Sequence, residues 1–305
     1  MPEHIELGKW YLWVGCFVAI LALGSVTARA QAAPPTPISA CPYTITASGN
    51  YVVTRNLTAS GDCINIVTGE VAIDLQGHSI TGNGTSGVGI MGGADHIVVT
   101  NGSITKFHEG IYFVDSFHVV SHMTVLRNAG NGIDINSGYS VVTDTVANEN
   151  GKIGINGEEG LFLSVTNVQA NNNADSGIQL STSTVANSEA SGNGGIGISM
   201  NLGGSFVVNS TAQGNTGDGI WLGNVGNSVT NSKASGNGGN GISIPNGGAL
   251  DSSNSATDNV ANNNSEAGIF LACRGNAVDN STKGNAGGNL LTSDSTCLLL
   301  NNKTP

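Results

Sequence analysis

A Gly-Ile pair returns along this chain about every 22 residues, and that period limits the fold more than any other feature. The positions are Ile90, Ile111, Ile133, Ile155, Ile178, Ile198, Ile220, Ile242 and Ile269, with Leu290 in the same role; the steps are 21, 22, 22, 23, 20, 22, 22, 27 and 21. Ile64 begins the series. Two residues further on, a second, mostly apolar position recurs as Phe113, Ile135, Leu180, Met200, Leu222, Ile244 and Leu271, with Gly92 and Gly157 as small exceptions. The residue between is mixed: Tyr112, Asp134, Asn156, Gln179, Ser199, Trp221. Alternation with a period of two is the mark of a half-buried strand. A repeat of this length means one structural unit stacked on copies of itself.

Two further registers accompany the pair. Five residues before each Ile or Leu, from Ile133 onward, stands Asn: Asn128, Asn150, Asn173, Asn193, Asn215, Asn237, Asn264 and Asn285. Six residues before each of those stands Asp or Asn, or once His: His122, Asp144, Asn167, Asn187, Asn209, Asn231, Asp258 and Asp279. Asn suits tight bends, because it tolerates left-handed backbone and bonds its own main chain. Stacked amides also bond to one another up a column. These features predict a coil of about 22 residues whose short strands pair in parallel with the next coil, about 4.8 Å away. A propeller blade would be about twice as long, and the Leu-x-x-Leu-x-Leu signature of a horseshoe is absent.

Composition agrees. The chain of 305 residues holds 45 Gly and 37 Asn, both poor helix formers, so a helical globule is excluded. Hydrophobic content of 39% is too high for disorder, and 7 Pro without a Gly period of three exclude collagen. The net charge is −11. No basic face is present to neutralise phosphates, which argues against nucleic acid and anionic membranes as partners.

Trp10 to Val26 is a mostly apolar run followed by Ala28-Arg29-Ala30. It reads as a secretory signal peptide over residues 1–30, with an uncleaved anchor as the alternative. Residues 31–40 read as a linker, 41–300 as the repeat domain and 301–305 as a tail. Cys41, Cys63, Cys273 and Cys297 remain after the leader. Pairs separated by 22 and 24 residues lie one coil apart, within disulfide reach. The spacing therefore predicts Cys41–Cys63 and Cys273–Cys297, in a secreted or periplasmic protein.

With the Gly-Ile repeat, the Asn columns and the opening Ile73-Asp74-Leu75-Gln76-Gly77-His78-Ser79-Ile80-Thr81-Gly82, the chain resembles the right-handed parallel β-helix superfamily of pectin-lyase-like fold. That superfamily includes NosD-like periplasmic proteins of the same short repeat. The resemblance implies an all-β, single-stranded, right-handed parallel β-helix of about ten coils. Its members include polysaccharide lyases, epimerases, tailspikes and adhesins, so fold alone does not give activity. The polygalacturonase, pectate-lyase, pectinesterase and mannuronan-epimerase signatures are missing, as is the Gly-Gly-x-Gly-x-Asp calcium repeat.

The expected function is binding of an extracellular or periplasmic polysaccharide, with lyase-type β-elimination as the best-motivated chemistry. The rivals are a non-catalytic surface, adhesin or envelope-scaffold protein and a NosD-like metal-site accessory. All five histidines beyond the leader, His78, His96, His108, His118 and His122, lie where the Asn registers break. Lys106 stands five residues before Ile111, where the Asn column would place its amide. A lyase needs a base for the C5 proton and a cation for the enolate. Lys106 or His118 is the candidate base and Arg127 the stabiliser. His96 and His118, 22 apart, are expected to stack. The outward stripe Tyr112, Asp134, Asn156, Gln179 and Trp221 is the candidate sugar-binding surface. No metal site is called. No cofactor is evident, and Ca2+ enters only if the substrate is a polyuronate. No oligomeric state follows from the residues.

Overall fold

The computed structural model describes residues 33–247 and 253–305. The signal peptide expected over residues 1–30 lies outside the described residues. The described chain is an all-β solenoid in which every strand pairing is parallel, and it contains no helix. Among the described residues no helix is therefore long and apolar enough to cross a membrane.

One side of each coil carries the Gly-Ile pair. Twelve strands stack there, from Tyr43–Ile45 to Gly288–Thr292. The isoleucines pair in register: Ile64 with Ile90, Ile90 with Ile111, and so on to Ile269 with Leu290. The sequence count of about ten coils falls short by two at the N-terminal end. The series begins one coil before Ile64: Tyr43 stacks beneath it, and Tyr43 and Ile64 follow Pro42 and Cys63 instead of Gly, so the pair signature is lost while the strand continues.

The second side is a sheet running from Thr36–Ile38 to Leu298–Leu300. Its first strand lies inside the 31–40 segment and pairs with Gly49–Val53. A third column of short strands and bridges closes each coil, ending in Thr211–Gln213, Lys233–Ser235, Val260–Asn262 and Ser281–Lys283. Lys303 bridges to Ser281 and Asn302 Oδ1 accepts from Asn280, so the 301–305 segment continues the coil.

The interior is a stack of Ile, Val, Leu, Phe and Ala columns, from Ile38 to Ala277. Each buried Ile or Leu contributes about 1.5–3 kcal/mol. Beside the isoleucines runs a continuous ladder of buried amides. Each Asn donates Nδ2–H to the Oδ1 of the next, at 3.0 Å from Asn128 to Asn150, 3.1 Å from Asn150 to Asn173 and 3.0 Å from Asn193 to Asn215. The same Oδ1 accepts the backbone N–H of the Asn below, at 2.9 Å for Asn193 and Asn215. The ladder answers the demand that buried polar groups be paired.

The glycine of each Gly-Ile pair belongs to this device. A Cβ on Gly197 would lie 2.6 Å from Asn215 Nδ2 and 2.6 Å from Gly219 O. Only a residue without a side chain lets the amide column pass.

The bends fall next to the ladder, not on it. The residue before each ladder position is left-handed: Lys106, Arg127, Glu149 and Asn172 have φ of 61°, 55°, 56° and 57°, and Gly192, Gly214 and Gly236 follow. The second sequence register behaves as its Asn and Asp residues suggest, with φ between 48° and 57° from His122 to Asp279. Cys41–Cys63 and Cys273–Cys297 are both formed, with Cα separations of 4.7 and 4.6 Å, and each joins neighbouring coils.

Candidate functional site

The three residues expected to perform β-elimination do not converge. Asn128 Oδ1 accepts from the backbone N–H of Phe107 at 3.0 Å, so buried Phe107, not Lys106, holds the ladder register in that coil. The step from Ile111 to Ile133 is 22, but Phe107 and Asn128 are 21 apart, and counting back from Ile111 misplaces the column by one. Lys106 and Arg127 instead occupy one exposed corner on successive coils. Arg127 Nε donates to Glu149 Oε2 at 2.6 Å, and that bond raises its already high pKa.

His118 is fully buried inside the coil. Its Nδ1 accepts from Ile97 N at 3.3 Å, its Nε2 lies 2.8 Å from Val114 O, and its ring packs 4.8 Å from Phe113. Burial lowers its pKa, so the imidazole is held neutral as an interior strut. The expected His96–His118 stack is also absent. His96 aligns with Phe117, because the coil step there is 21 and not 22.

The outward stripe is in register. Tyr112 pairs with Asp134, Asp134 with Asn156, Asn156 with Gln179, Gln179 with Ser199 and Ser199 with Trp221. Six positions about 4.8 Å apart thus form a track along the solenoid; Tyr112, Asn156, Gln179 and Trp221 are partly exposed on it, while Asp134 and Ser199 are buried between their neighbours. Asn156 Nδ2 donates to Asp134 Oδ1 at 3.0 Å, and Gln179 Nε2 donates to Glu158 Oε2 at 2.8 Å. Asn156 Oδ1 is buried without a protein partner.

Glu109, not singled out in the sequence, stands beside this track. Its Oε2 accepts from Asn131 N at 3.0 Å, and the Asn131 side chain donates to Asp134 Oδ2 at 2.9 Å. One asparagine therefore ties two carboxyl groups together. Burial, with the Asp134 charge second, pushes the Glu109 carboxyl up to about 7. Burial also raises Asp134, against the hydrogen bonds from Asn131 and Asn156. A carboxyl raised towards neutrality and still 15% exposed is suited to exchanging a proton. Glu109 lies two residues before Ile111, in a column where Asp218 holds the next coil's N–H in the same way. That structural column was the signal that could have found it.

A second surface was also missed. At one corner His96, Phe117, Tyr139 and Phe162 stack ring on ring, with centroids 5.0, 5.5 and 5.3 Å apart and interplanar angles of 12°, 14° and 25°. Glu70 caps the column, 3.5 Å from His96 Nδ1. The three larger rings are about half exposed. Their spacings of 22 and 23 follow the repeat, but the column runs His, Phe, Tyr, Phe and then Thr and Gly, so no register stands out.

Among the described residues, no group of three or more His, Cys, Asp or Glu side chains could hold a metal ion. His96, His118 and His122 lie on a corner, in the interior and on another corner.

The fold is shared with solved proteins. The A-module of the Azotobacter vinelandii mannuronan C-5 epimerase AlgE4 is 16% identical, with 84% of each chain covered and a TM-score of 0.54. The periplasmic alginate epimerase AlgG is 15% identical, covering 85% of this chain and 78% of its own, with a TM-score of 0.52. Among curated proteins none matches. The right handed beta helix region family matches residues 44–185 and 181–304, almost the whole solenoid. The chain belongs to that family of right-handed β-helix proteins.

Proposed function

We propose that this is an exported β-helix protein that binds a polysaccharide along its Gly-Ile side. The observation that carries the reading is the in-register track from Tyr112 to Trp221, with the unpartnered Asn156 Oδ1 within it. Rings at both ends and amides between them suit a chain of sugar hydroxyls and apolar ring faces. The epimerases that share the fold are named for mannuronan and alginate, which supports a polysaccharide as the ligand class. The two disulfides support export to an oxidising compartment.

The proton-transfer group on this side is Glu109, and Lys106, His118 and Arg127 have no part in it. The test is incubation of the purified protein with a panel of neutral and uronate polysaccharides, reading polymer retention, unsaturated uronates and new reducing ends. Retention of one polymer, weakened in Tyr112→Ala and Trp221→Ala, is the expected result. Product formation lost in Glu109→Gln would extend the reading to cleavage. No retention on any polymer would end it.

A further inference from the structure

The aromatic corner column stops at a cleft. In the next coils the register of Phe162 passes to Thr182 and then Gly204. The rings of Phe117 and Tyr139 have neighbours on both faces, so only their edges meet solvent. Phe162 has Tyr139 on one face and opens with the other onto a cavity of about 360 Å³. Ser164, Thr182, Thr184, Gly204 and the ring of Phe206 line the rest, and no charged side chain takes part.

The column is held in a conformation that its residues do not favour. His96, Phe117, Tyr139 and Phe162 have φ of 58°, 65°, 55° and 61°. Bulky residues rarely adopt left-handed backbone, and this very register later uses Gly204 and Gly226. Phe162 and Phe206 remain 52% and 47% exposed, so core burial does not explain them. Left-handed backbone recurs at the other corners of the coil as well; what sets this one apart is half-exposed rings beside a formed cleft, a surface suited to a ligand.

We propose that this cleft binds one neutral pyranose unit, its C–H face on the free face of Phe162 and its hydroxyls on Ser164, Thr182 and Thr184. The volume lies at the lower end of small-ligand pockets. Aromatic wall and hydroxyl lining match the two kinds of surface a pyranose presents. The uncharged lining selects a neutral sugar over a uronate, whose carboxylate would find no cation there. That the sugar belongs to a polymer rests on the polysaccharide reading above; the cleft would take a free hexose or a chain residue alike.

The test is calorimetric titration of the full protein with glucose, mannose and galactose, with neutral hexasaccharides built from each, and with oligomannuronate. The variants are Phe162→Ala, Phe162→Tyr, Thr182→Trp and Trp221→Ala, each checked by thermal melting. The expected result is binding of a neutral sugar, weakened at least tenfold by Phe162→Ala and by Thr182→Trp, which fills the cleft, and restored by Phe162→Tyr. Hexasaccharide binding without monosaccharide binding would assign the ligand to a chain. Binding that survives Phe162→Ala but fails in Trp221→Ala overturns the cleft and keeps the Gly-Ile track. Phe162-dependent binding of oligomannuronate alone overturns the neutral class. No sugar binding at all overturns the cleft, while the track reading stands or falls with the polymer panel.

Discussion

Asn193 Oδ1 receives two hydrogen bonds from Asn173, one from the backbone N–H at 2.9 Å and one from the side-chain amide at 3.1 Å. Asn193 in turn donates from Nδ2 to Asn215 Oδ1 at 3.0 Å and to Ala170 O at 3.0 Å. Replacing Asn193 by Ala leaves Asn173 with two buried donors unpaired. The expected loss is about 3 kcal/mol, since each stranded group costs roughly 1–3 kcal/mol. Asn193→Asp keeps the acceptors but loses both donations and buries a charge, so it should do no better. Denaturant unfolding of the two variants checks this.

Gly197→Ala should act on the same ladder while leaving every Asn in place. Its Cβ would lie 2.6 Å from Asn215 Nδ2. Overpacking of a closed interior costs about 1–3 kcal/mol, and the variant should melt clearly below the parent. Gly214→Ala probes a different cause, because nothing lies within 4 Å of its Cβ and only its φ of 63° opposes the side chain. Its loss should be the smaller of the two.

The Glu109 carboxyl gives a pH signature. Its pKa is raised in the fold from 4.5 to about 7, so the folded state binds the proton more tightly than the unfolded chain. Below pH 4.5 the group is neutral in both states and costs nothing. As the pH rises towards 7 the unfolded chain ionises first, and stability falls. Glu109→Gln should flatten the decline between pH 4.5 and 7, leaving the slope of the same direction from Asp134 and Asp218, whose carboxyls burial also raises. Urea unfolding across that range reads the difference, and an unchanged slope would refute the burial assigned to Glu109.

Reducing Cys273–Cys297 should loosen the C-terminal coils before the rest. The bridge closes a loop of 24 residues, for which chain entropy predicts about 3–4 kcal/mol. Hydrogen exchange after mild reduction should show Ala267–Leu271 and Gly288–Thr292 losing protection while Ile178–Leu180 keeps it.

The coil, its columns and both disulfides were legible in the sequence because each column uses one residue type at one position per turn. Ile198 and Asn193 announce themselves because their neighbours above and below are the same residues. The site was harder to read for the same reason. Lys106 was placed on the ladder by counting from Ile111, and a coil one residue short moved Phe107 there instead. His118 looked like surface chemistry among histidines, but the strand alternation turns it inward. Glu109 was hidden in a capping column that spells Glu, Asn, Ile and Ser on successive coils. Phe117, Tyr139 and Phe162 sit at a left-handed corner, where pattern rules do not look for rings.

Tryptophan emission reports on the Gly-Ile track itself. The chain has three tryptophans, Trp10, Trp13 and Trp221; among the described residues Trp221 is the one tryptophan, and it lies on the track. The protein and its Trp221→Phe variant would be titrated with the polysaccharide that the panel retains. A polysaccharide seated on the track should give a saturable change in emission in the parent and none in the variant. A polymer that binds both proteins equally and leaves Trp221 emission unmoved would contradict it.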